Sequence, residues 1–174
     1  MSKEHKALAE RLSEIKFLVT IVSTSRYEKI LRGEKIDDES GDLALNLIEK
    51  FGFKVVEKKI ISDDLGMIEN VIDDYIGKVD VILFIGGTGL GVKDYTYEVV
   101  RKRVRKEIPG FGELFRFLSY REIGSSAILS RAFAGLVDGK LIVCIPGSVN
   151  AVRLALTKLL LPEVKHILLH ARKG

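Results

Sequence analysis

Gly86-Gly87-Thr88-Gly89 closes an apolar, β-branched run, Val79 to Ile85, broken only by Asp80, and five residues further on stands a carboxylate, Asp94, followed by Thr96 and Glu98. Three glycines in four positions remove three Cβ atoms. The backbone is then free to take positive φ and to bring its N–H groups close to something large and negatively charged, for which a phosphate is the natural choice. Thr96 reads as an N-cap for the helix that begins with Glu98, Val99 and Val100. Strand, glycine loop and helix start therefore form one unit able to hold an anion. The same pattern also serves a tight turn, and the spacing alone leaves both readings open. It does not match a Walker loop, because neither Gly86 nor Gly87 begins G-x-x-x-x-G-K-[ST]. A Rossmann fingerprint is excluded too, since Val92 stands where its third glycine belongs, counting from Gly87.

Positioning such a loop requires a sheet, and the rest of the chain supplies one. Phe17–Val22 is an apolar, β-branched run that ends in the hydroxyls Ser23-Thr24-Ser25, at the end of the strand where open α/β sheets collect ligands. Arg26 to Ser40 is polar and reads as a surface loop. Asp38-Glu39-Ser40-Gly41 then opens a helix with Leu43, Ala44, Leu47, Ile48 and Phe51 on one face, stopped by Gly52. Lys54–Ile61 is the next strand. Ser62 or Asp63 caps a second amphipathic helix, which carries Ile68, Val71, Ile72 and Tyr75. Strands alternating with helices predict βαβ crossovers and a parallel sheet covered on both faces.

Beyond the glycine-loop helix, Ile108-Pro109-Gly110-Phe111-Gly112-Glu113 breaks the chain, and a further helix runs from Leu114 to about Arg121, with Phe111, Phe115 and Phe117 as packing residues. Asp138-Gly139 between two apolar runs predicts a two-residue hairpin, making Ala132–Val137 an antiparallel edge strand and sending Leu141–Ile145 parallel to the core. Pro146-Gly147-Ser148 then reaches the same edge as the glycine loop. Two closing helices follow, divided by Pro162. The expected fold class is α/β, with a mostly parallel sheet of about five strands and one antiparallel edge strand.

A chain of 174 residues can bury a full core without a disulfide or metal staple. The apolar runs fall short of the ~20 residues of a membrane span, and residues 1–14 are charged and lack the apolar centre of a signal peptide, so the expectation is a cytoplasmic protein with no membrane partner. Residues 1–14 read as a helical extension ahead of a single domain over 15–174. The net charge of +4, from 28 basic and 24 acidic residues, suits anionic small molecules and implies no nucleic-acid partner. The dense run Arg101–Lys106 reads as a solvated helix face, or as a means of steering phosphate-bearing substrates. Cys144, the single cysteine, lies inside an apolar strand and reads as a buried structural thiol.

Taken in order, Asp38–Gly41, the Gly86–Gly89 loop with Asp94, Thr96 and Glu98, Pro109–Glu113, Ser130-Arg131-Ala132 and Pro146–Ser148 resemble the MoaB/Mog family of molybdenum cofactor biosynthesis, over nearly the whole chain from Phe17. The resemblance implies a three-layer α/β/α domain that assembles as a homotrimer or homohexamer and works beside other cofactor-biosynthesis proteins. It implies transfer of AMP from ATP, with Mg²⁺, to molybdopterin, releasing pyrophosphate. By position it makes Asp63 and Asp94 the catalytic, metal-holding acids. As ligand contacts it suggests Gly86, Gly87, Thr88, Gly89, Thr96, Glu98, Gly112, Glu113, Ser130, Pro146, Gly147 and Ser148. Simpler roles stand beside these: a helix cap for Asp63, Thr96 or Ser148, a turn for Ser130, and a first-turn acid for Glu98 or Glu113. The chain departs from many members at Val92, Tyr97 and Val149, where they carry proline, at Lys93, where they carry arginine, and at Thr24, where they carry aspartate. The alternative to an enzyme is a catalytically inactive oligomeric module that binds a pterin or a protein partner.

Overall fold

The computed structural model describes residues 14–172; the helical extension expected over residues 1–14 lies outside them except for Glu14. Six strands form one sheet in the order β2-β1-β3-β6-β5-β4. The four on one side, β1 (Lys16–Val22), β2 (Lys54–Ile61), β3 (Val81–Ile85) and β6 (Lys140–Ile145), are mutually parallel. β5 (Phe133–Val137) runs antiparallel to β6, and the two-residue β4 (Lys106–Glu107) pairs outside it. The hairpin between β5 and β6 turns at Asp138 and Gly139, both at positive φ (48° and 74°), as a two-residue turn matched to strand twist demands.

Alternate residues of the central strands feed two cores. Phe17, Val19 and Ile21 pack with Leu83 and Val143 against α2 (Glu39–Lys50), α5 (Pro109–Ile123) and the C-terminal helices, while Leu18, Ile82 and Ile142 pack against α3 (Leu65–Tyr75) and α4 (Thr96–Arg103). Each fully buried side chain of this size contributes about 1.5–3 kcal/mol. The result is the expected three-layer α/β/α sandwich. Cys144 faces the second core, and burial pushes its thiol up to about 12, which leaves it inert.

Five local expectations are corrected. The stretch after β1 is not all loop: α1 (Thr24–Leu31) forms there, capped by Ser23, whose Oγ accepts the Arg26 N–H at 3.4 Å. It buries none of its residues, so no apolar stripe announces it. The cap of α3 is Asp64, which accepts the Met67 N–H at 2.9 Å, while the Asp63 N–H and the Ser62 hydroxyl are both engaged by Thr24 Oγ1. Pro109 begins α5 instead of breaking the chain, because its fixed φ and missing N–H suit a first helical turn; of the three phenylalanines, Phe117 is exposed and carries the Arg121 guanidinium over its ring. Pro162 does not divide two helices either. α6 (Val149–Leu154) passes through a π-helical segment, Ala155–Leu160, into α7 (Leu161–Ala171), and the wider turns ahead of the proline accommodate its missing donor.

Candidate active site

The four parallel strands end at one edge, and the loops leaving them carry the chemistry. Gly86 sits directly against β1: its φ is 104°, and a Cβ there would come within 2.3 Å of the Val22 carbonyl oxygen. Its N–H donates to the Ile145 carbonyl at 2.9 Å, which ties the loop to the end of β6. Gly147, in the loop that follows β6, comes up against the Gly86 backbone, where its own Cβ would be 3.5 Å from the Gly86 Cα. Gly87, at φ 66°, is crowded from two other elements. A Cβ would lie 2.2 Å from Thr96 Oγ1 and 2.6 Å from Asp63 Oδ2.

Asp63 Oδ1 accepts the Tyr95 N–H at 2.9 Å, linking the loop after β2 to the end of the glycine loop. Burial raises its carboxyl to about 6, with the negative charges of Asp94, Glu98 and Asp64 adding to the rise and the Tyr95 N–H opposing it. Asp94 Oδ2 folds back into the loop, accepting the Gly91 N–H at 2.7 Å. A Cβ at Gly89 or at Gly91 would stand 2.6 Å from that same oxygen. These two glycines therefore make room for the carboxylate, whereas Gly86 and Gly87 give the backbone its left-handed turn. Asp63, Asp94 and Gly87 line one open cleft of about 520 Å³, closed on its other wall by Ser23, Thr24 and Ser25.

Some of the remaining predicted residues line two further hollows, while Thr88, Thr96 and Glu98 line neither. Gly112, Glu113 and Ser130 line one of about 390 Å³ together with Arg116 and Arg131. Ser130 also borders a smaller one of about 100 Å³ with Pro146 and Ser148. Gly112 lies where α5 crosses the approach to β5, so a Cβ would meet the Ala132 carbonyl oxygen at 2.6 Å. Ser148 caps α6 through the Ala151 N–H at 3.2 Å. Thr96 is not the cap of α4: Tyr95 is, without a side-chain bond, and Thr96 Oγ1 is wholly buried with no partner among the described residues. Thr88 is buried as well.

Arg131, part of the Ser130-Arg131-Ala132 marker but given no role by it, is tied closely to the glycine loop. Its Nε donates to the Thr88 carbonyl at 3.0 Å, its terminal nitrogens to the Gly89 carbonyl and the Glu98 carboxylate, and its guanidinium lies 4.7 Å from the Tyr97 ring centre. Although burial works against it, this pairing holds Glu98 below the usual carboxylate range. Arg131 lines the larger hollow and is bonded to the loop whose Gly87 and Gly91 line the cleft, so it ties the two together. In the sequence it stands only within the Ser130-Arg131-Ala132 marker, with no partner to announce its role.

An open, mostly parallel sheet with a positive-φ glycine loop and two acids at the carboxyl ends of its parallel strands defines an α/β protein whose crevice suits phosphate-bearing ligands. Comparison with known proteins gives the family. Residues 18–166 match the family described as "Probable molybdopterin binding domain". The chain is 43% identical over 167 residues to a probable molybdopterin adenylyltransferase of Methanocaldococcus jannaschii, an alignment covering 95% of this chain and 99% of the relative. A crystal structure of a molybdenum cofactor biosynthesis protein B superposes with a TM-score of 0.84 at 41% identity, covering 92% of this chain and 98% of that one. The tungsten cofactor synthesizing protein MoaB from Pyrococcus furiosus gives 0.80 at 36% identity with the same coverage. The chain belongs to the MoaB/Mog family of molybdenum cofactor biosynthesis proteins.

Proposed function

We propose that this chain is a cytoplasmic molybdopterin adenylyltransferase, which joins the phosphate of molybdopterin to the α-phosphate of ATP and releases pyrophosphate. The observation that carries the reading is the convergence of Asp63, Asp94 and the positive-φ Gly87 on one open cleft at the carboxyl edge of the sheet. The homology of the whole chain to a protein named for this activity supports it.

Bringing two phosphorylated substrates together concentrates negative charge, so the site must position and neutralise it. Its residues divide that work. The glycine loop offers backbone N–H groups at a turn that side chains would obstruct, and Lys93 in the cleft wall supplies a positive charge. Thr88, Thr96, Ser130 and Ser148 are the hydroxyls placed near the ligand, and Glu98 acts through Arg131 by fixing the loop. The larger hollow beyond Arg131, with Glu113 and Arg116, leaves room for the part of molybdopterin that does not react.

The donor set fits Mg²⁺. Two carboxylates face one cleft, and the Asp94 charge adds to the rise of the Asp63 carboxyl. A hard ion that keeps several waters and shares substrate phosphates needs no more protein than Asp63 and Asp94. Bound there, Mg²⁺ would offset phosphate charge and orient the oxygens that react.

We further propose that the chain self-associates, as a trimer or hexamer. Leu114, Phe117 and Tyr120 form an exposed apolar strip on α5 beside Ile128 and Leu129, each more than half exposed in the single chain. Incubating purified protein with ATP, Mg²⁺ and molybdopterin should yield adenylyl-molybdopterin and pyrophosphate in equal amounts. No product from a substrate preparation that a known adenylyltransferase converts would instead support a non-catalytic, pterin-binding module.

A further inference from the structure

His166 and His170 stand four residues apart on α7, exposed and on one face of the helix. Their Nε2 atoms are 3.0 Å apart and their ring centres 4.7 Å. With metal–nitrogen bonds of about 2.0–2.1 Å, nitrogens at that separation subtend about 91–97° at a shared ion, within the range borderline divalent ions accept. One turn earlier on the same helix, Glu163 places Oε2 3.2 Å from His166 Nδ1. A carboxylate only accepts, so the ring proton belongs on Nδ1 and the Nε2 lone pair is left facing His170. This is the carboxylate–histidine arrangement that orients metal-bound imidazoles. In the metal-free chain the His170 Nε2–H then donates to His166 Nε2; an ion takes both lone pairs, and His170 carries its proton on Nδ1 instead.

We infer that His166 and His170 form a bidentate site for a divalent transition ion of the zinc, nickel or copper class, with Glu163 as its outer carboxylate and water completing the coordination. Imidazole donors favour these ions over Mg²⁺, which seeks oxygen. The site is separate from the acidic cleft. His170 shares a hollow with Asp138 and Gly139, at the turn that starts β6, whereas the glycine loop is bonded to the end of that strand. An ion here bridges successive turns of α7 and takes no part in AMP transfer.

The test uses the full chain, stripped of metal with a chelator and titrated calorimetrically with Zn²⁺ and, separately, Ni²⁺. One ion should bind per chain. His166→Gln and His170→Gln should each weaken binding at least about tenfold, and Glu163→Gln about tenfold, the usual effect of losing an outer-shell partner. All three side chains are exposed, so the variants should keep the wild-type melting temperature. The electron paramagnetic resonance spectrum of the Cu²⁺-loaded chain should show coupling to two nitrogens, reduced to one in either histidine variant. Unchanged affinity in His166→Gln, absence of binding by the wild type, or loss of the site in an Asp63→Asn/Asp94→Asn double variant would each overturn the inference.

Discussion

Asp63→Asn should make the protein more stable while removing its activity, and the size of the gain should follow pH. In the folded chain the Asp63 carboxyl stands at about 6 against an ordinary 3.8, chiefly through burial. The unfolded chain therefore ionises this group first. Below about pH 4 both states hold the proton and there is no penalty; as pH rises, the folded state is progressively disfavoured, and the full cost is reached above about pH 6. An isolated shift of this size corresponds to at most ~3 kcal/mol, which solvent screening at a half-buried group brings to about 1–2 kcal/mol. Asparagine keeps an oxygen for the Tyr95 N–H and carries no charge. Thermal melts at pH 8 should place Asp63→Asn about 2–8 °C above wild type, a gap that narrows to about half by pH 5. Adding Mg²⁺ with ATP at pH 8 should raise the melting temperature of the wild type and leave the variant nearly unmoved. A variant less stable than wild type at every pH, or a gap indifferent to pH, would refute the view that Asp63 is a charge held at a cost for the ligand.

Asp94→Asn should lower kcat and kcat/KM for AMP transfer together by ~10²–10³ with little change in melting temperature, and near wild-type turnover at saturating Mg²⁺ would remove Asp94 from the catalytic role. Gly87→Ala places a Cβ at positive φ and against Thr96 Oγ1 and Asp63 Oδ2, so it should cost about 2–4 kcal/mol in denaturant unfolding and weaken ATP binding; wild-type values of both would make the loop a plain turn. Arg131→Met leaves the Thr88 and Gly89 carbonyls and Glu98 without their shared donor, and should cost about 1–3 kcal/mol and raise KM for ATP more than it lowers kcat. Unaltered kinetics in that variant would show that the loop holds its shape alone.

The central strands were legible because their buried runs are apolar and largely β-branched, whereas β2 is interrupted by charge and mostly not buried. Asp138-Gly139 set the hairpin and hence which of the last two strands runs parallel. What escaped has physical reasons. α1 buries nothing, so it leaves no periodic signal in the sequence. Prolines 109 and 162 read as interruptions because local rules weigh the missing donor, while the structure uses one where no donor is needed and absorbs the other behind a π-helical turn. Thr24 took up Ser62 and the Asp63 N–H across 38 and 39 residues, leaving the helix cap to Asp64.

The site divides in the same way. Glycines and acids declared themselves by spacing, but Arg131 reaches backbone carbonyls 42 and 43 residues away, a relation no local pattern encodes. What unites the cleft is accumulated local cost: two glycines at positive φ, a carboxyl raised toward protonation and the buried hydroxyl of Thr96, which has no partner among the described residues, all meeting around Gly87. A region selected only for folding would have relieved these, since an alanine-tolerant turn, an uncharged side chain or a paired hydroxyl would each be more stable. Their concentration in one place, at the edge where parallel strands direct their loops, is what a phosphate-bearing ligand and its counter-ion would explain. Binding would give the Asp63 charge a partner, the loop N–H groups an acceptor and the Thr96 hydroxyl a polar neighbour at once, so the terms that weaken the empty cleft are those that would strengthen the occupied one.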